Sequence, residues 1–195
     1  MRKKSIPKAV EAFVENVDEI LIYLNDQKAK DVSEKSESWA HEYAIIRLYR
    51  EFEDLMLNCL VAGINNDTSV LAATTNIDFP KHLTDEVCEY IVIGNGYFDF
   101  RGRDGLIRTL KKYVPATHYL VVSVKETKYR EALDRLSALR NFAAHDSAVS
   151  KRQALNVTGM HRMASAGSWL KKQGRFGSIA HSLKRLANDI GDAVA

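Results

Sequence analysis

Three side chains that could act together on a phosphate lie in the stretch RNFAAH: Arg140, Asn141 and His145. An imidazole that titrates near neutrality can take a proton from a ribose 2′-hydroxyl or give one to a leaving 5′-oxygen. A guanidinium can bind a phosphate through two parallel hydrogen bonds and stabilise its charge in the transition state. Asn141 can orient the ribose or the phosphate. These residue types predict metal-free cleavage of RNA to a 2′,3′-cyclic phosphate, a reaction that DNA cannot undergo.

The same residues also have a purely structural interpretation. A helix C-terminus favours cations, so Arg140 and His145 can simply interact with the last carbonyls of a helix. Five positions along an ideal helix turn by about 500°, which places the two side chains about 140° apart around the axis. They can reach one cleft only if the helix ends near His145 and the imidazole swings towards Arg140. Both interpretations stay open on these residues alone.

The elements that must position the motif follow from the hydrophobic periodicity. Apolar residues recur at spacings of three and four, which is typical of amphipathic helices. The periodicity predicts helices over residues 6–24, 38–61, 127–145, 151–169 and a last one containing 179–190, with a polar connector over 25–38. The helix that carries the motif has its apolar stripe at Tyr129, Leu133, Leu136, Leu139 and Phe142.

Two further local predictions concern the second helix and the helix after the motif. Ser150 and Gln153 fit the capping-box pattern S-x-x-Q, which predicts that a helix begins at about Lys151. The predicted buried side of the second helix comprises Trp39, Tyr43, Ile46, Phe52, Met56, Leu57 and Leu60.

The composition favours long helices in one domain. The chain has 195 residues, of which 46% are hydrophobic and 27% charged, with only 10 Gly and 3 Pro. We expect an all-α bundle of about five main helices, with short helices or loops in a central insertion, forming a single domain over residues 1–195. Cys59 and Cys88 lie among apolar residues, which predicts buried thiols rather than a disulfide framework.

Charge and motif content exclude several classes of protein. The net charge is +3, and basic residues accumulate in the second half, which can steer a polyanion but also fits solvated helix faces. The six histidines lack short metal-ligand spacing, and no Walker loop or H-E-x-x-H motif is present, so the sequence predicts neither a metal nor a cofactor. No run approaches the roughly 18 apolar residues of a membrane span. We therefore expect a cytoplasmic protein.

The motif resembles that of the HEPN superfamily, an arginine and a polar residue followed by a histidine, written R-x(4–6)-H. Arg140 to His145 fits with four intervening residues, and Asn141 is the polar second residue. Two further segments, "LYREFEDLML" and "FPKHLT…YFDFRGRDGL", are similar to the RiboL-PSP type of HEPN domain. The likeness covers roughly residues 40–175.

This resemblance implies a helical RNA-cutting domain that acts as a homodimer, commonly a toxin of a toxin–antitoxin system or an effector of phage defence. The implied partners are RNA, a second copy of the chain, and an antitoxin or nucleotidyltransferase-type protein. Many HEPN-like domains instead bind a nucleotide or a protein and do not cut RNA, which remains an alternative. A helical structural protein in which Arg140 caps a helix is a third possibility.

The resemblance also implies roles for particular residues. Arg140, Asn141 and His145 would be catalytic, with His145 as general acid or base. Some family members carry an acidic residue on an earlier helix near the site, for which Glu51, Glu53 and Asp54 are the candidates; solvated positions on a helix face would explain them equally well. Asp146 follows the motif at a position where a glycine is frequent in the family, which questions the local turn and the pKa of His145.

Four basic residues are candidate RNA contacts. Lys151 and Arg152 are expected to open the helix after the motif, where backbone amides favour phosphate. Arg101 and Arg103 lie in a loop rich in aromatic residues, which can stack on bases or can be buried instead. These aromatic residues are Tyr97, Phe98 and Phe100.

Overall fold

The structure is a computed structural model that describes residues 4–194. The expected domain of 1–195 thus reaches beyond these residues at both ends. The described residues form ten α-helices and one 3-10 turn and contain no strand, which confirms the all-α class. The helices are α1 (Ile6–Ala29), α2 (Glu34–Asn66), α3 (Ser69–Thr75), α4 (Asp85–Ile93), α5 (Gly102–Leu110), α6 (Tyr119–Lys125), α7 (Arg130–His145), α8 (Ala148–Thr158), α9 (Ala166–Leu170) and α10 (Arg175–Asp192), with the 3-10 turn at Thr127–Tyr129. None of the helices in this part of the chain is long and apolar enough to cross a membrane.

The connection between the first two helices is much shorter than predicted. α1 continues to Ala29 and α2 begins at Glu34, so most of the expected connector at 25–38 is helical. Its polar residues lie on the solvent faces of two long helices. Ser33 caps α2, because its Oγ accepts a hydrogen bond from the backbone N–H of Ser36 at 3.2 Å.

The predicted buried side of α2 is wrong in its first half. Trp39 and Tyr43 are 58% and 59% exposed, and Ile46 is also exposed. Ala40 and Ala44 are buried in their place. α9 approaches another side of α2 so closely that a Cβ at Gly167 in α9 would lie 1.9 Å from the carbonyl oxygen of Ser38.

α7 lies at the centre of the bundle and packs against α2, α5, α8 and α10. Its predicted apolar stripe is confirmed, since Leu133, Leu136, Leu139 and Phe142 are all buried. The buried residues of the bundle form one hydrophobic cluster. The thiols of Cys59 and Cys88 are free and buried in it, as the sequence predicts.

The helix after the motif begins earlier than expected. Ser147, not Ser150, is the N-cap of α8, and its Oγ accepts from the backbone N–H of Ser150 at 3.1 Å. Ser150 returns the bond, because its own Oγ accepts from the backbone N–H of Ser147 at 3.1 Å. The sequence offers two overlapping capping patterns, S-x-x-S and S-x-x-Q, and the first one forms. α8 then ends at Thr158, so the predicted helix 151–169 is two helices, α8 and α9.

Candidate active site

The three motif side chains line one open cleft of about 510 Å³ at the C-terminal end of α7. Its other walls are α8 and the segment 97–101 that precedes α5. We call this hollow the motif cleft. Besides Arg140, Asn141 and His145, its lining residues include Tyr97, Asp99, Arg101, Asp134, Ser147 and Gln153.

Arg140 is held from two sides. Its guanidinium carbon lies 4.6 Å from the centre of the Tyr49 ring, so the cation rests on the aromatic face. One of its terminal nitrogens donates a 2.8 Å hydrogen bond to Asn141 Oδ1. A guanidinium carries five N–H groups in a rigid fork. The contacts with Tyr49 and Asn141 therefore hold the Arg140 guanidinium in place and leave other N–H groups to donate to a ligand. The side chain of Asn141 therefore positions the guanidinium of Arg140.

His145 is exposed at the last position of α7, and a sharp turn follows it. Asp146 adopts the left-handed conformation, with φ 42° and ψ 39°, and its N–H donates to the carbonyl oxygen of Phe142 at 3.0 Å. This is a conformation that glycine adopts most readily, and Asp tolerates it better than most residues. The residue that departs from the family pattern thus still forms the turn. Because α7 ends there, His145 reaches the same cleft as Arg140 despite their angular separation.

The segment before α5 forms one wall because Tyr49 fixes it to α2. The Tyr49 hydroxyl, which has one proton to donate, lies 2.7 Å from Asp99 Oδ1 and 2.8 Å from the carbonyl oxygen of Phe100. The rings of Tyr49 and Phe100 are stacked with centroids 5.0 Å apart. Burial, and then the hydrogen bond to Asp99, raise the pKa of Tyr49 above its usual range, so this hydroxyl stays protonated.

The other end of the segment is fixed to α7. The backbone N–H of Arg103 donates to Asp134 Oδ1 at 2.9 Å. Gly102, which precedes Arg103, has φ 61°, and a Cβ there would come within 2.7 Å of the same Asp134 oxygen. Only glycine fits this close approach. The wall of the cleft is therefore anchored to α2 through Asp99 and Phe100 and to α7 through Arg103.

The aromatic residues of this segment have different surroundings. Phe98 and Phe100 are buried, as the alternative interpretation of the loop proposed. Tyr97 is 79% exposed and lines the motif cleft.

Among the acidic candidates, Glu53 is the residue whose charge interacts with that of Arg140. Burial raises the pKa of Glu53 to about 7, with the negative charges of Asp99 and Asp54 adding to the effect and the positive charge of Arg140 opposing it. Its Oε1 is buried without a hydrogen-bond partner. Glu51 instead accepts from Asn16 at 2.5 Å and pairs with an arginine of its own helix, away from the cleft lining.

The four basic candidates do not come together. Arg101 lines the motif cleft, but Arg103 does not. The guanidinium of Arg103 instead donates to the carbonyl oxygens of Val124, at 3.1 Å, and Lys125, so it caps the end of α6. Lys151 and Arg152 are the fourth and fifth residues of α8 rather than its first, and neither is part of the cleft lining.

Sequence reasoning overlooked the individual roles of Tyr49, Asp99 and Asp134. Tyr49 lies within the acidic and aromatic patch "LYREFEDLML", so a signal was present, although it did not single out one residue. Asp99 and Asp134 carry no such signal, because their roles depend on contacts with residues 50 and 31 positions away.

No three His, Cys, Asp or Glu side chains among residues 4–194 are grouped so that they could hold a metal ion. No family model matches the chain, and comparisons with curated proteins and with solved structures find no match either. The function must therefore be argued from the site itself.

Proposed function

We propose that the protein is a metal-independent endoribonuclease of the HEPN type that acts as a homodimer. The observation that supports this most is the geometry at the end of α7. The side chains of Arg140, Asn141 and His145, which an ideal helix would spread around its axis, line one cleft. This convergence of an imidazole and a guanidinium is what the transesterification of RNA requires.

In the proposed reaction, His145 accepts the proton of a ribose 2′-hydroxyl as the 2′-oxygen attacks the adjacent phosphorus. The new P–O bond forms the 2′,3′-cyclic phosphate, and the bond to the 5′-oxygen breaks. Arg140 donates hydrogen bonds to the non-bridging phosphate oxygens and stabilises the charge that develops on them. The departing 5′-oxygen takes a proton from a general acid.

One imidazole cannot be base and acid in the same step, which is why the proposal includes a homodimer. A two-fold axis would bring a second copy of the motif to the same phosphate, with one His145 as base and the other as acid. The exposed position of His145 at the mouth of an open cleft is compatible with such an approach.

Below Arg140, Tyr49 and Glu53 would support the reaction without touching substrate. The Tyr49 ring carries the guanidinium on its face, and the Glu53 carboxyl acts on it electrostatically. Because its pKa is about 7, the half-buried Glu53 carboxyl can change charge near neutral pH, which alters the electrostatic potential at Arg140.

A catalytically inactive module that binds a nucleotide or a protein is the second candidate. The carboxylates of Asp99 and Asp134 also line the motif cleft. Asp99 accepts a hydrogen bond from Tyr49, and Asp134 accepts one from the backbone of Arg103. Their negative charge still repels a long polyanion more strongly than it repels a small ligand.

We also propose, from the resemblance alone, a cytoplasmic role in a toxin–antitoxin or phage-defence system. The partner would be an antitoxin or a nucleotidyltransferase-type protein. An adjacent gene for a small antitoxin or a nucleotidyltransferase would support this role, whereas an adjacent helicase or ATPase would indicate a larger defence complex.

The experiment that tests the nuclease is cleavage of a mixed tRNA and mRNA pool by purified protein in the presence of a chelator. We expect products with 2′,3′-cyclic phosphate ends from the wild type and none from His145→Ala. DNA of the same sequence should stay intact. Equal cleavage by wild type and His145→Ala would show that the activity does not belong to this site. The mass of the active species in solution, measured by light scattering, tests the homodimer.

A further inference from the structure

The most exposed aromatic side chain of the cleft wall is Tyr97. It is 79% exposed, while Phe98 and Phe100 in the same segment are buried. Exposure alternates along the segment, since Tyr97, Asp99 and Arg101 are exposed and the two phenylalanines between them are buried. The phenylalanines fill the core, and Tyr97 is left in solvent beside Arg140 and His145 in the lining of the motif cleft.

The backbone that carries Tyr97 is fixed by the residues that follow it, beginning with the buried Phe98. Phe100 is stacked on Tyr49 at 5.0 Å, and Asp99 accepts the Tyr49 hydroxyl at 2.7 Å. Further on, Asp134 accepts the N–H of Arg103 at 2.9 Å. A tyrosine side chain has only two rotatable bonds, so a ring on such a support loses little freedom when a flat ligand stacks on it.

The charged groups around Tyr97 indicate the kind of flat ligand. Arg101 and Arg140 line the same cleft as Tyr97. The carboxylates of Asp99 and Asp134 line it too, but each already accepts a hydrogen bond from the protein, from the Tyr49 hydroxyl and the backbone N–H of Arg103 respectively. An aromatic ring in one groove with cations is the arrangement that proteins use for single-stranded nucleic acid, where bases stack and phosphates pair with the cations.

We propose that Tyr97 stacks on an unpaired base of the RNA, so that the motif cleft takes single-stranded RNA. This inference rests on the proposed nuclease function and adds its substrate class. The interior bases of an RNA duplex are covered by their neighbours and cannot offer a face to Tyr97. A loop, a bulge or a single-stranded end can place a base on the ring and the adjoining phosphate near Arg140.

The test measures binding separately from cleavage. The probe is a 12-nucleotide, fluorescein-labelled, all-2′-deoxy oligonucleotide, which lacks the hydroxyl that the proposed reaction needs and so stays intact. Anisotropy titrations compare the wild type with Tyr97→Ala and Tyr97→Phe. Tyr90→Ala is the matched control, because Tyr90 is 63% exposed on α4 and is not part of the cleft lining.

We expect Tyr97→Ala to raise Kd about 5- to 100-fold, the range for loss of one stacked base. Tyr97→Phe should stay within about threefold of the wild type, since stacking needs the ring and not the hydroxyl. Tyr90→Ala should be unchanged. A 2-aminopurine base in the oligonucleotide should be quenched by the wild type and by Tyr97→Phe but not by Tyr97→Ala. A blunt-ended duplex without unpaired bases should compete poorly.

Several results would overturn the inference: no binding of the single strand by the wild type, equal competition by the duplex, or Tyr97→Ala binding as well as the wild type. Equal losses in Tyr97→Phe and Tyr97→Ala would indicate a hydrogen bond instead of stacking. The nuclease proposal fails separately. If no RNA is cut but Tyr97→Ala still weakens binding, stacking stands and cleavage does not. If RNA is cut and Tyr97→Ala binds normally, the nuclease proposal stands and the stacking proposal fails.

Discussion

Two hollows of similar size on this molecule differ in what their side chains can do. The motif cleft has a volume of about 510 Å³. A groove between α1 and α2, which we call the α1–α2 groove, has about 570 Å³ and is lined by Asn16, Glu19, Ile20, Tyr23, Tyr43 and Arg47. The groove is the larger of the two and has exposed aromatic rings, yet its lining residues include no imidazole. Volume alone would select the α1–α2 groove, whose lining lacks the imidazole that the proposed reaction needs.

The difference is in how the charged groups are satisfied. In the α1–α2 groove, Arg47 pairs with the buried Glu51 at 2.7 Å, and Asn16 donates to the same carboxylate. In the motif cleft, by contrast, the imidazole of His145 is exposed, and Arg140 donates to the neutral side chain of Asn141 at 2.8 Å. Polar groups that satisfy each other hold helices together, whereas groups left open are available to a ligand.

The largest expected effect comes from Arg140→Ala. We expect kcat/KM for RNA cleavage to fall about 100- to 1,000-fold, because the group that stabilises the phosphate in the transition state is lost. Unfolding should change little, since the guanidinium is partly exposed and only rests on Tyr49. Single-turnover cleavage and thermal melting measure the two effects. An Arg140→Ala enzyme that cuts RNA normally would remove the distinction between the two hollows.

Arg47→Ala should have the opposite pattern. The change leaves the Glu51 carboxylate, which is 8% exposed, without its cation, and we expect a loss of about 1–3 kcal/mol in the free energy of unfolding. Cleavage per folded molecule should be unaffected. Urea unfolding measures the loss, and Arg50→Ala, on the exposed side of the same helix, is the control with an expected change below about 0.5 kcal/mol. Loss of cleavage in folded Arg47→Ala would indicate that the groove belongs to the active assembly.

The contrast between the hollows also explains what could be predicted from the sequence. Local signals were sufficient for α7, whose stripe from Leu133 to Phe142 is buried as expected, but they left open whether its last residues share a cleft. They also failed on the first half of α2, where Trp39 and Tyr43 are exposed, because apolar spacing does not show which side of a helix meets its neighbours. Arg103 is likewise drawn to α6, a contact that no spacing in its own segment indicates.

Glu53→Gln tests the half-buried carboxyl of α2 whose charge interacts with that of Arg140. Burial raises the pKa of Glu53 in the folded protein to about 7 from an ordinary 4.5. Between these values the folded chain holds a proton that the unfolded chain has released, so this group makes the protein less stable as pH rises from about 4.5 to about 7.

The amide that Glu53→Gln introduces cannot ionise, and the variant should lack this dependence. At pH 8 we expect the variant to be more stable than the wild type by about 1–2 kcal/mol. This is less than the free energy that corresponds to the whole change in pKa, because the carboxyl is half-buried and solvent screens its charge. At pH 4 the two should be nearly equal. Urea unfolding at both pH values makes the comparison, with Glu11→Gln, at an exposed position of α1, as the control. A stability difference that grows towards low pH would mean that Glu53 is stabilised as an anion.

The smallest expected effect is at Asp146, where the chain leaves α7 in the left-handed conformation. Asp146→Gly relieves the strain of that turn but gives the unfolded chain more freedom, so we expect a gain of only about 0.5 kcal/mol. Gly159, which ends α8 at φ 66° with no atom near a substituted Cβ, provides the reverse control: Gly159→Ala should lose about 1 kcal/mol. Cleavage by Asp146→Gly should stay within about twofold, since the turn that brings His145 to the cleft is unchanged. A shifted pH profile for cleavage would instead show that the Asp146 charge acts on the imidazole.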